Sequence, residues 1–235
     1  MGNSSSSPFQ GRNGTVTEYW IKDDIVKRES LPAEVDLRFS SCFPYPTIKD
    51  QGSEGSCVAH AMNSAYLCAQ RKQNIPVVKT NVQVAQDLFD KARDKSNVQR
   101  PESSGLTFSE SMKALGDSAV WFRLGKTTEN FRKCLALGYP VVFGFGMTQE
   151  MYSWQLDKNG AIQKTNYVMP IPKSPESTDI TAFHCILIIG YKNGYFICRN
   201  SWGNLWGNGG HFYLPFSVMR NPKITLDAMI VDVKT

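Results

Sequence analysis

The stretch Gln51-Gly52-Ser53-Glu54-Gly55-Ser56-Cys57-Val58-Ala59-His60-Ala61 sets a cysteine at the start of a small-residue helical run, directly after a glycine-rich loop. A thiol in that position lies at the positive end of a helix dipole, which favours the thiolate and pulls the pKa below the free value of about 8.5. Such a sulfur is a nucleophile. Gln51, in the same loop, carries an amide that can donate to an oxyanion forming beside Cys57. A base must come from elsewhere, and Phe183-His184-Cys185-Ile186-Leu187-Ile188-Ile189-Gly190-Tyr191 supplies a histidine at the edge of a buried-strand pattern. Asn200-Ser201-Trp202-Gly203-Asn204-Leu205-Trp206-Gly207 supplies a group to orient it.

The order Cys…His…Asn spans 127 residues from 57 to 184 and 143 from 57 to 200, close to the roughly 130–150 of one known arrangement. In these blocks, between about Leu31 and Tyr213, the chain resembles the papain/cathepsin-like cysteine peptidases. The short bacterial and viral members are nearer than lysosomal cathepsins, through Val35-Asp36-Leu37-Arg38, Pro140-Val141-Val142-Phe143-Gly144-Phe145 and Gly210-His211-Phe212-Tyr213-Leu214-Pro215. The resemblance implies an α+β, papain-like two-lobe fold. A mainly helical lobe would take about 45–119 and an antiparallel β-barrel-like lobe about 31–44 and 120–235, with the active-site cleft between them.

It also implies roles: Cys57 as nucleophile, His184 as acid and base, Asn200 as its orienting partner, and Gln51 as oxyanion donor. Trp202 resembles the indole that covers the His–Asn bond, and is grouped with Ser104 and Gly105 as a candidate substrate-binding residue. Ser104 and Gly105 lie where the family pairs backbone with an extended substrate; a plain turn explains the glycine equally well. The expected partner is a protein or peptide, the expected activity endopeptidase, and no cofactor is implied. Other acyl transfer at the same site (transglutamination, deamidation) and non-catalytic peptide binding are the competing classes. Three positions depart from the family: Val58 for a bulky aromatic, Glu54 for a disulfide cysteine, and Phe183 before the histidine. Glu54 places a negative charge near the sulfur, which would raise its pKa.

Composition limits the other classes. With 26 Lys+Arg against 21 Asp+Glu the net charge is +5, and the basic residues are scattered, so nucleic-acid binding is not indicated. No apolar run approaches the ~20 residues of a membrane span. Cys42, Cys68, Cys134, Cys185 and Cys198 read as small buried hydrophobes in a reducing compartment, either cytoplasmic or membrane-associated, or a virion for a viral chain.

The positioning elements follow from periodicity. Val58, Ala61, Met62, Ala65, Leu67, Cys68 and Ala69 predict a helix from Cys57 to about Lys72. Helices are also expected over 81–95, 109–115 and 128–137, and strands over 139–146 and 185–191. Asn193-Gly194 predicts a two-residue hairpin joining 185–191 to 195–200, which carries His184 and Asn200 to one end of two paired strands.

Residues 1–14 have the composition of a solvated tail, yet Met1-Gly2-Asn3-Ser4-Ser5-Ser6 fits N-myristoylation at Gly2. One acyl chain would give weak, reversible membrane association. Residues 15–30, with Tyr19, Trp20, Ile21 and Ile25, read either as a short inhibitory pro-segment before a mature-like start at Leu31 or as a structural strand.

Overall fold

The computed structural model describes residues 31–42, 48–77, 82–96, 104–156, 159 and 166–234. Gly2, the lipidation candidate, and the 15–30 segment lie outside the described residues.

Helix α1 (Cys57–Lys72) runs through the centre of the molecule. All of 57–65 is buried, as are Leu67, Cys68 and Ala69, because its alanines, serine and cysteines let neighbours approach from every side. Helices α2 (Val82–Ser96) and α3 (Phe108–Leu115) pack on one another and on α1. The start of α3 is fixed by a capping box: Thr107 Oγ1 accepts the Glu110 N–H while the Glu110 carboxylate accepts the Thr107 N–H. The other faces of α1 pack on the sheet.

That sheet has seven antiparallel strands among the described residues. They are β1 (Val35–Asp36), β2 (Ala119–Arg123), β3 (Val141–Met147), β4 (Ala182–Lys192), β5 (Tyr195–Arg199), β6 (His211–Pro215) and β7 (Thr225–Val233). The order is β2-β7-β3-β4-β5-β6, with β1 also paired to β4. Helices α4 (Thr128–Ala136) and α5 (Gln149–Ser153) complete the elements. Every residue of β3 is buried, as its run of Val, Phe and Gly requires of a strand covered on both faces.

The turn at Asn193-Gly194 has φ of 50° and 84°, the left-handed pair that makes Asn-Gly the favoured two-residue hairpin. Above it, Tyr191 faces Phe196 and Gly190 faces Ile197, but Ile188 faces Cys198, so Ile189 is an extra residue on β4.

Several boundaries differ from expectation, two of them at the starts of strands near the site. Strand β3 begins at Val141 rather than at 139, because Pro140 has no N–H to give the ladder. Strand β4 begins at Ala182, placing His184 inside the strand opposite Phe145. Strand β7, which sits between β2 and β3, and the short β1 had no sequence forecast.

Candidate active site

Cys57 is the first residue of α1, with Ser56 as N-cap. The backbone N–H groups of Cys185, of Val58 and of Cys57 itself act on its sulfur. The sulfur of this candidate nucleophile therefore lies near β4, at the residue following His184. Burial is the largest influence and pushes the Cys57 thiol up, while those N–H groups pull it down. The helix N-terminus thus acts in the direction expected, but desolvation outweighs it. Glu54 is not the cause: its carboxylate accepts the side-chain amide of Gln86 on α2 at 3.0 Å.

His184 and Asn200 are both buried, and Nε2 of the imidazole is 2.8 Å from Asn200 Oδ1. The same oxygen accepts the Ser201 N–H at 2.8 Å. A backbone N–H can only donate, so the Asn200 atom that meets both groups is the oxygen and His184 Nε2 carries a proton. That leaves Nδ1 as the basic nitrogen of a neutral ring. Burial lowers the His184 pKa to about 4, against the Asn200 hydrogen bond, which raises it.

Aromatic rings close this pair from water. Trp202 stacks on the imidazole, centroids 4.7 Å apart and planes at 27°. Phe145 meets the imidazole edge-on at 5.8 Å, and Trp206 backs Trp202 at 5.1 Å and 90°. Trp202 is therefore placed over the His184 ring. Phe183, beside His184, is 74% exposed.

The Gln51 loop is fastened to the Asn200 segment. Gln51 N donates to Ser201 O at 2.8 Å, Gly203 N donates to Lys49 O at 3.0 Å, and Asp50 forms an isolated antiparallel bridge with Trp202. The Gln51 side chain accepts from Ser201 Oγ at 2.5 Å and donates from Nε2 to Glu54 O at 2.6 Å. An amide nitrogen has two protons, so one Nε2–H is left for a substrate oxygen.

Gly55 joins this loop to Ser104-Gly105. A Cβ at Gly55 would come within 2.7 Å of Gly105 N and of the Ser104 carbonyl. The Ser104-Gly105 backbone is thus pressed against the loop that carries Cys57, and Gly105 is exposed. Sequence reasoning missed the Cys185 N–H and the Ser201 hydroxyl. Both follow residues that were named, but nothing local indicates that Ser201 meets Gln51.

This arrangement of folds and side chains defines the α+β, two-lobed papain fold. The chain belongs to the papain family of cysteine proteases, whose family model matches residues 109–230. The matched residues include His184 and Asn200 and begin after Cys57. The chain is 23% identical to an uncharacterized peptidase C1-like protein of Acanthamoeba polyphaga mimivirus, covering 89% of this chain and 78% of that protein. It is 26% identical to a probable cysteine protease of Arabidopsis thaliana, over 78% of this chain and 53% of that one. Among solved structures, xylellain, a cysteine protease from Xylella fastidiosa, superposes with a TM-score of 0.71 at 19% identity, covering 88% of each chain. A digestive procathepsin L of Tenebrio molitor larval midgut superposes at 0.65 and 17% identity, covering 88% of this chain and 71% of that one.

Proposed function

We propose that this papain-family hydrolase is an endopeptidase in which Cys57, His184 and Asn200 cleave peptide bonds through a covalent acyl-enzyme. The observation that carries this reading is the His184 Nε2 to Asn200 Oδ1 hydrogen bond, since it presents an unprotonated Nδ1 as the ring's base. In this reading the thiol proton passes to Nδ1, and the thiolate attacks the substrate carbonyl. Because burial disfavours each isolated charge, the charged forms arise together as a pair.

The tetrahedral oxyanion is held by the free Nε2–H of Gln51 and the backbone N–H of Cys57. His184 then protonates the leaving amine as the C–N bond breaks, which leaves a thioester on Cys57. Water, deprotonated by His184, releases the acid. The Ser104-Gly105 backbone is the proposed rail for an extended substrate. Cleavage is internal in this reading because the two histidines besides His184, His60 buried in α1 and His211 on β6, are not paired on one loop as are the histidines that can hold a substrate carboxylate in dipeptide-removing relatives. A reducing compartment, cytoplasmic or membrane-associated through an acylated Gly2, belongs to the same proposal.

The test is labelling with an epoxide inhibitor followed by digestion of a peptide library. One label per chain at Cys57, with internal cleavage that is lost in Cys57→Ala, is the expected result. Label without cleavage, accompanied by ammonia release from glutamine peptides, would replace hydrolysis by deamidation or transglutamination.

A further inference from the structure

Beside Asn200 lies a small cavity of about 10 Å³ lined by Lys49, His60, Ser64, Arg199, Asn200 and Ser201 together with small and aliphatic residues. Its chemistry is unusual. Lys49 is 6% exposed, His60 3% and Arg199 5%. Lys49 Nζ, both ring nitrogens of His60, and Asn200 Nδ2 are buried with no hydrogen-bond partner. No carboxylate lines the space among the described residues. An ammonium buried without a counterion is strongly disfavoured, and the guanidinium of Arg199 adds a second positive charge to the same wall.

We propose that this cavity binds one monatomic anion, chloride, held by Lys49 Nζ, a ring N–H of His60 and Asn200 Nδ2. Size selects the class: about 10 Å³ is the space of one water-sized particle, which excludes sulfate or phosphate. Charge decides between ion and water, since a neutral water leaves the buried Lys49 ammonium without a counter-charge. The donors fit an anion as well. The Ser64 hydroxyl proton is spent on His60 O and the Ser201 hydroxyl proton on Gln51 Oε1, so the donors without partners are those of Lys49, His60 and Asn200. Burial and the nearby Arg199 charge bring Lys49 down to about 7, and an anion beside it restores the ammonium.

Lys49 comes from the strand-like entry to the Gln51 loop, His60 from α1, and Asn200 from the end of the β4-β5 hairpin. The ion therefore ties the nucleophile's helix and loop to the group that orients His184. This does not depend on the reaction assigned to the site.

The experiment uses the full chain with Cys57→Ser and follows Tm as sodium chloride replaces sodium gluconate at constant ionic strength. At ten times its dissociation constant the ion raises Tm by roughly 3–6 °C, with saturation, and Lys49→Met removes the dependence. Should Lys49→Met fail to fold, crystals grown in bromide decide: an anomalous peak is expected between Lys49 Nζ, His60 and Asn200 Nδ2. A Tm that is the same in chloride and gluconate, a chloride effect that survives in folded Lys49→Met, or an ordered water with no bromide peak overturns the proposal.

Discussion

Ser201 Oγ donates to Gln51 Oε1 at 2.5 Å, joining the residue after Asn200 to the proposed oxyanion donor, far away in sequence. With Oε1 so occupied and Nε2 bonded to Glu54 O, the Gln51 amide is held in one of its two flips. An amide fixed before the substrate arrives has no reorganisation to undergo as charge develops.

Two substitutions separate holding from donating. Gln51→Ala removes the donor and is expected to lower kcat by about 10²–10³. Ser201→Ala leaves the donor but frees it, losing one hydrogen bond of about 1 kcal/mol, or roughly fivefold in kcat with KM little changed. Steady-state kinetics on one peptide checks both, and equal losses would mean that the two residues act through folding alone.

Cys57→Ala and His184→Ala are each expected to abolish peptide hydrolysis, while Asn200→Ala retains a reduced rate because it orients the ring rather than reacting. Loss of general acid and base catalysis alone amounts to about 10²–10⁴. Undiminished turnover in Cys57→Ala would end the assignment.

Gly55→Ala tests the contact between the 51–57 loop and the proposed Ser104-Gly105 rail. Its Cβ would lie 2.7 Å from backbone atoms that have no flexible end to swing away, so overpacking costs about 1–3 kcal/mol. Chemical denaturation should show that loss, and KM for long peptides should rise more than KM for a short ester. Wild-type stability in the variant would show the two loops to be free to part.

Acid should loosen the fold over a definite window. Burial lowers His184 to about 4, His60 to about 3 with help from the Lys49 charge, and His211 to about 4 with help from Arg199, each from 6.5. Between pH 6.5 and about 4 the unfolded chain binds protons that the native chain does not, so stability rises with pH there and is lost as pH falls. Urea midpoints of Cys57→Ser in chloride-free buffer should drop steadily from pH 6.5 to 4.5, and His60→Phe should shallow the slope. A flat profile would show that these rings are hydrated.

Much of the fold was legible because it is written locally. The apolar pattern of α1 predicts a helix from Cys57 to about Lys72, and the helix spans Cys57–Lys72; Asn193-Gly194 predicts the turn. Strand β7 escaped since its pairing with β2 and β3 joins segments distant in sequence, and β1 because two residues carry no period. At the site, residue types and order were readable from Gln51, Cys57, His184 and Asn200, but their state was not. Thiol and imidazole pKa directions depend on burial by rings such as Phe145 and Trp202, which come from separate parts of the chain.

The single extra residue at Ile189 sets the parity of the hairpin. Counting down from the turn with Ile189 included, Leu187 faces Arg199, so Ile186 and, two residues on, His184 share a face with Asn200. In an unbulged ladder Leu187 would stand opposite Asn200, and His184 would project from the other side of the sheet. One inserted residue in β4 is therefore a half-period phase shift that decides whether His184 and Asn200 can meet. Strand pairing alone would have been satisfied either way.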